Sequence, residues 1–109
     1  MAEEYVGEIR MFAGTFAPQG YAVCDGRTLA IAEYETLFTL IGTTYGGDGV
    51  STFNVPDMRG RAPIHRGPNS PQGSTATLAA DTKGTGPSVP GYQTVNFIIS
   101  LYGVYPSQG

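Results

Sequence analysis

The sequence predicts an α+β fold: a small, mixed, mostly-β domain with one short helix over residues 32–41. Three observations predict it. Several short segments alternate apolar and polar side chains, which is typical of half-buried strands. Before residue 42, one segment repeats its apolar residues at helical spacing. The chain also contains 16 Gly and 8 Pro among 109 residues, and this content favours many turns and short elements.

Three short strands are predicted before the helix. Residues 5–12 place apolar side chains on one face and charged side chains on the other, which predicts a half-buried strand. The apolar face carries Tyr5, Ile9 and Met11. Turn residues then separate an apolar run at 21–24 from an alternating run at 28–31, and each run is long enough for one strand.

The helix is predicted from the spacing i, i+3, i+4 and i+7, which gathers four apolar side chains onto one face: Tyr34, Leu37, Phe38 and Ile41. Glu33 and Glu35 fall in its first turn, where carboxylates offset the positive end of the helix dipole. Gly42 stands where helices commonly end on a residue with positive φ.

The middle of the chain is less regular. A Gly-rich loop at 45–49 cannot continue the helix, and short strands are predicted at 53–55 and 62–65. Residues 67–91 are rich in Gly, Pro, Ser and Thr. We therefore expect this segment to be an excursion over the surface, with a short strand near 76–79.

The last part of the chain is apolar again. Residues 92–105 keep both faces largely apolar, which predicts a central strand buried on both sides. Because 40% of the residues are hydrophobic, the chain can bury one modest core. We therefore expect a single domain over residues 1–109.

The charge content excludes some partners and favours others. Charged residues make up 14% of the chain and the net charge is −3, whereas about 25% charged residues is typical. The six cations form no basic stripe, so nucleic acid is not an expected partner. The longest apolar stretch, at 95–105, is too short to span a bilayer, so membrane insertion is not expected. A surface with few charges tends to be covered by a partner or by other copies of the chain. We therefore expect a homo-oligomer.

Short motifs follow one another along the chain: GEIRMFAG at 7–14, PQGY at 18–21, CDG at 24–26, IGTTYGGDG at 41–49, PDMRGRAP at 56–63 and NFIISLYG at 96–103. In this order and spacing they resemble the phage tail-collar family, and in particular its bacterial branch of microcystin-dependent proteins. The resemblance is close over residues 7–66 and looser over 92–105.

The resemblance implies a small mixed α/β domain that ends tail fibres, frequently as a trimer, and takes part in adsorption to cell-surface polysaccharide or in fibre attachment. It implies a location in a virion tail or at an extracellular cell surface. Longer members carry a His-x-His pair that binds metal in some trimers. This chain has no His after His65, so we expect no metal and no other cofactor.

The chain also has no fibrous repeat and no coiled-coil heptads. Two kinds of assembly remain open. The protein is either a small subunit docked onto a larger assembly, or it stacks head to tail into its own filament through a heterologous interface.

Six residues are candidates for ligand or interface contacts: Tyr45, Asp48, Asp57, Arg59, Arg61 and Tyr92. The guanidiniums of Arg59 and Arg61 offer donors for sugar hydroxyls or anionic groups. Alternatively, Asp57 caps its turn and pairs with one of these arginines, which is the commoner role of such a carboxylate. Asp48 lies in a loop without the ligand pattern of a calcium or phosphate loop, so a plain turn is favoured there. Tyrosine suits both interfaces and sugar stacking.

No catalytic residue is predicted. Cys24 lies in an apolar strand, where a lone cysteine is usually an inert small hydrophobe, and His65 has no second His or Cys beside it in the sequence. No set of acid, base and nucleophile can be recognised. We expect an interaction module rather than an enzyme.

Overall fold

The computed structural model describes residues 4–76 and 91–108. Within them the elements are β1 (Ile9–Phe12), β2 (Tyr21–Val23), β3 (Thr28–Ala30), α1 (Glu35–Ile41), β4 (Thr52–Asn54) and β5 (Asn96–Ser100). They form two antiparallel sheets. The predicted α+β class, mostly β with one short helix, is confirmed for the described residues.

The larger sheet has the order β1-β5-β2, with β5 antiparallel to both neighbours. The central position predicted for the last strand is therefore confirmed, although the strand is shorter than the apolar run at 92–105. Ile98 and Ile99 point to opposite faces of the sheet and both are buried. A strand buried on both faces needs apolar residues at consecutive positions, which is the pattern that the sequence shows.

The first strand differs from the prediction in its burial. Ile9 pairs with Ile99 and Met11 with Phe97, so both side chains lie on the face that carries the core, as the alternation predicts. However, β1 lies at the edge of the sheet among the described residues, and none of its residues belongs to the buried core cluster. Ile9 is 42% exposed and Met11 is 71% exposed. Tyr5 lies outside the strand, in an isolated bridge to Val104.

The smaller sheet pairs β3 with β4, and α1 packs beside it. Phe53 on β4 is 0% exposed, and its ring centroid lies 5.5 Å from that of Phe38 on α1. Leu37, on the same helix, is also fully buried. These side chains belong to one core cluster, whose buried members are Val6, Ala22, Cys24, Leu37, Phe53, Val55, Ile99 and Leu101.

The helix begins at Glu35 rather than at residue 32. The N–H groups of Glu33 and Tyr34 both donate to the carbonyl of Ala30 at 3.2 Å, so the end of β3 is followed by a turn. Glu33 therefore precedes the helix and only Glu35 lies in its first turn. A left-handed cap is predicted at Gly42. Its φ of +55° agrees with this prediction but its ψ of −140° does not, and its N–H donates to the Phe38 carbonyl.

The strand predicted at 62–65 is wrong. These residues have no regular structure and are exposed, and Pro63 has no N–H with which to join a ladder. Residues 67–76 are mostly exposed, whereas most of the strand predicted near 76–79 lies outside the described residues. The predicted single domain over 1–109 stays a prediction.

Candidate functional site: two adjacent charged turns

Two turns with the same Asp-x-Arg pattern lie next to each other. One comprises residues 25–27, between β2 and β3, and the other comprises residues 57–59, after β4. An antiparallel bridge joins Asp25 to Asp57. We refer to the two turns, together with Arg61, as the paired turns.

Backbone contacts hold the paired turns together. The N–H of Met58 donates to the carbonyl of Cys24 at 2.9 Å, and the N–H of Gly26 donates to the carbonyl of Pro56 at 3.2 Å. Gly26 has a φ of +78°, and a Cβ at this position would lie 3.1 Å from the Cβ of Asp57. The close approach of the two turns thus requires glycine at residue 26.

The carboxylate of Asp57 fixes Arg59 in a bidentate fork. Arg59 Nε donates to Oδ1 at 2.9 Å and Nη2 to Oδ2 at 2.8 Å, and the backbone N–H of Arg59 donates to Oδ1 at 3.1 Å. Arg61 Nη1 donates to the backbone carbonyl of Asp57 at 2.7 Å. The side-chain hydrogen bond from Arg59 is the main reason that the pKa of Asp57 lies well below its usual value.

The first turn repeats this geometry. Arg27 Nε donates to Asp25 Oδ1 and Nη2 to Oδ2, both at 3.0 Å, and the backbone N–H of Arg27 donates to Oδ1 at 3.2 Å. The hydrogen bond from Arg27 likewise lowers the pKa of Asp25. Sequence reasoning did not select Asp25 or Arg27 as candidates. The signal that could have found them is the repeated Asp-x-Arg pattern.

The paired turns carry three guanidiniums and two carboxylates, so their net charge is positive in a chain whose net charge is −3. Each fork uses the Nε and Nη2 atoms of its arginine. Among residues 4–76 and 91–108, the Nη1 atoms of Arg27 and Arg59 have no hydrogen-bond partner. Both arginines are exposed. A planar guanidinium held in this way can still donate outward to a hydroxyl or an anionic group, with its orientation already fixed.

Asp48 is engaged by its own loop. Its Oδ1 accepts hydrogen bonds from the N–H groups of Val50, Ser51 and Thr52 at 2.8, 2.9 and 2.9 Å. These donors, with that of Ser51 first, lower the pKa of the Asp48 carboxyl. The carboxylate orders the turn that leads into β4, which agrees with the plain-turn interpretation of the sequence.

The two candidate tyrosines differ in their surroundings. The hydroxyl of Tyr45 accepts a hydrogen bond from Gln72 Nε2 at 2.9 Å, so it ties the segment at 67–76 to the loop after α1. Tyr92 is 85% exposed. Among the described residues, no hydrogen bond or aromatic pair connects Tyr92 with Tyr45 or with the paired turns.

Cys24 lies in the core beneath the paired turns. Burial raises the pKa of its thiol to about 11, which opposes formation of the reactive thiolate at neutral pH. In the described part of the chain, no three His, Cys, Asp or Glu side chains gather closely enough to hold a metal ion. Among the same residues, none of the helices has both the length and the apolar character needed to cross a membrane.

The fold is a small, mostly-β domain, and its paired turns present fixed, exposed guanidiniums. Residues 7–63 match the family described as the phage tail collar domain. The match covers more than half of the chain, so the protein belongs to the phage tail collar domain family. The resemblance inferred from the motifs is thereby confirmed, and the family indicates a structural component of a phage tail. A comparison with curated proteins gave no match.

Proposed function

We propose that the protein is a structural, receptor-facing subunit of a phage tail fibre or of a phage-derived bacterial assembly. In this proposal it forms a homo-oligomer and contacts cell-surface glycans. The whole chain acts as one domain, located in a virion tail or at a cell surface. Membership of the tail collar family supports the structural role, and the low charge density supports burial of part of the surface by other copies.

The geometry of the paired turns is the observation that carries the glycan contact. Each carboxylate holds one side of its guanidinium, and no other residue in the described part of the chain bonds to the outer side. Sugars offer hydroxyls, and many surface polysaccharides also carry carboxylates, both of which accept from a guanidinium. Because the side chains are already fixed, little conformational entropy is lost on binding.

Weak contacts become effective when they are repeated. A single pair of exposed arginines binds one sugar unit weakly, because water competes for the same donors. An oligomer presents several such pairs to a repetitive polymer, and the second and later contacts are then intramolecular. This is why we join self-assembly and glycan contact in one proposal.

We expect the Arg27→Ala, Arg59→Ala double variant to bind an alginate-coated sensor at least about tenfold more weakly than the wild type. The estimate follows from the loss of charged hydrogen bonds, each worth about 1.5–3 kcal/mol. Biolayer interferometry would measure the binding, with a dextran-coated sensor as the neutral comparison. Arg66→Ala is the matched control, because Arg66 is exposed and lies outside the paired turns. It should change binding less than about twofold.

Circular dichroism would first establish that the double variant is folded. Equal binding by the double variant and by Arg66→Ala would contradict the role of the paired turns. Absence of binding to both polymers by the wild type would contradict the glycan contact itself.

The second candidate is a subunit of a self-polymerising extracellular filament. The exposed apolar edge strand β1 favours it, because an open strand edge can accept a strand from another copy. Negative-stain electron microscopy of the purified protein distinguishes the two candidates. Fibres formed by the protein alone would support the filament, and discrete particles under all conditions would contradict it.

A further inference from the structure

Among the described residues, the outer edge of β1 has backbone groups without a partner strand. The Ser100 N–H donates to the Glu8 carbonyl at 2.9 Å, and the pairs Ile98–Arg10 and Asn96–Phe12 follow in register. Since hydrogen-bonded and non-hydrogen-bonded pairs alternate in an antiparallel ladder, the N–H and C=O groups of Ile9 and Met11 point away from β5.

Within residues 4–76 and 91–108, no other strand pairs with this edge. Strand edges are commonly blunted by shortness, by charges, by proline or by a covering element. The strand Ile9–Phe12 is short and carries one charged residue, Arg10, but it contains no proline. Its Ile9 and Met11 side chains are 42% and 71% exposed.

The charges beside this edge are self-complementary. Glu8 and Arg10 share the face opposite to Ile9, and Arg10 Nη2 lies 3.4 Å from Glu8 Oε2. If two copies of the strand pair antiparallel with Ile9 opposite Ile9, then Glu8 of each copy faces Arg10 of the other as a close, non-hydrogen-bonded pair. A register centred on Arg10 instead places two arginines opposite each other, which is unfavourable.

We propose that β1 pairs antiparallel with β1 of a second copy, in the register that places Ile9 opposite Ile9. The proposal rests on the self-assembly included in the proposed function and specifies the surface and the register. The two strands join the three-stranded sheets of two copies into one continuous sheet. The contact is isologous, so each copy contributes the same residues.

The other face of the pair also fits. In this register Met11 of one copy lies opposite Gly7 of the second copy, which has no side chain of its own. Leu40 lies directly over Gly7 and is partly exposed. Met11 can therefore pack beside Leu40, which removes apolar surface of both residues from water. The regular ladder of β1 ends at Gly7, whose φ is +83° and whose N–H donates to the Ser100 carbonyl at 2.9 Å, so this N–H is not open to a second copy.

Charge reversal tests the register. Glu8→Arg alone and Arg10→Glu alone each place like charges opposite each other twice per dimer. We expect each single variant to weaken the dimer at least about tenfold in sedimentation equilibrium at low salt. The Glu8→Arg, Arg10→Glu double variant restores both charge pairs. Its dimer dissociation constant should return to within about threefold of the wild-type value. An additive loss in the double variant would overturn the proposed register.

Disulfide trapping gives a second, independent test. Ile9→Cys should form a covalent dimer under mild oxidation, because opposite hydrogen-bonded residues have Cα atoms about 5.5 Å apart. Met11 is more exposed, but it does not lie opposite Met11 of the second copy. Met11→Cys should therefore form much less covalent dimer. The native Cys24 is buried and does not compete.

Equal trapping of the two cysteine variants would overturn the proposal even if both variants fold. If the wild type associates but none of these changes affects association, this interface is wrong and the proposed self-assembly stands. If the wild type is a monomer throughout, both are wrong.

Discussion

Phe53→Ala should lower the free energy of unfolding by about 3–5 kcal/mol, the usual cost of truncating a buried phenylalanine. Phe53 is fully buried at the centre of β4, against Phe38 of α1 and the core cluster. The substitution therefore leaves a cavity where the smaller sheet, the helix and the larger sheet meet. Urea unfolding followed by circular dichroism would give the change.

Phe16→Ala is the matched control, because it removes the same atoms from a side chain that is 68% exposed. We expect it to change the free energy of unfolding by less than about 0.5 kcal/mol. If the two variants lost similar amounts of stability, the assignment of Phe53 to the centre of the core would be wrong.

Gly47→Ala should lower the free energy of unfolding by about 2–5 kcal/mol. Gly47 has a φ of +98°, and a Cβ added there would overlap the Cα of Phe53 and approach the carbonyl oxygen of Thr52 to 2.8 Å. The unfavourable φ costs about 1–2 kcal/mol, and overpacking adds about 1–3 kcal/mol. The obstructing atoms belong to the backbone of β4, so no side-chain rotation can relieve the overlap.

Gly60→Ala separates these two contributions. Gly60 also has a positive φ, +68°, but no described atom lies within 4 Å of an added Cβ. The control should therefore lose only the backbone part, about 1–2 kcal/mol. Thermal or urea unfolding of both variants gives the comparison, and a Gly47→Ala variant no less stable than Gly60→Ala would contradict the close packing of this loop on β4.

Local patterns in the sequence predicted those parts of the fold that depend on neighbouring residues. The consecutive apolar residues around Ile98 and Ile99 predicted a central strand, because only a strand covered on both faces needs them. The spacing from Tyr34 to Ile41 predicted the helix. Its start was missed because the turn that delays it depends on hydrogen bonds to Ala30 at the end of β3.

The pairing of segments that are far apart in the chain could not be predicted from local sequence patterns. The alternation of β1 predicted which face Ile9 and Met11 occupy, but their exposure depends on β1 being an edge strand, which the topology of the sheet decides. The pairing of Asp57 with an arginine was predicted as the commoner role of this carboxylate, but the sequence did not distinguish Arg59 from Arg61 as the partner. The contribution of Asp25 was missed because a bridge across 32 positions of the chain brings it to Asp57.

The proposed glycan contact and the proposed pairing of β1 both depend on association between copies of the protein. A single copy presents one set of paired turns and one β1 edge, and neither feature alone supports strong binding. Association through the edge would multiply the number of guanidiniums that face a polymer. The gain in avidity then depends on the number of copies rather than on the affinity of each.

Size-exclusion chromatography with multi-angle light scattering on the wild-type protein tests self-assembly most directly. Our account predicts a mass of at least twice 11.5 kDa at micromolar concentration, falling towards the monomer value on dilution. A mass of one chain at every concentration, including those used for glycan binding, would contradict it.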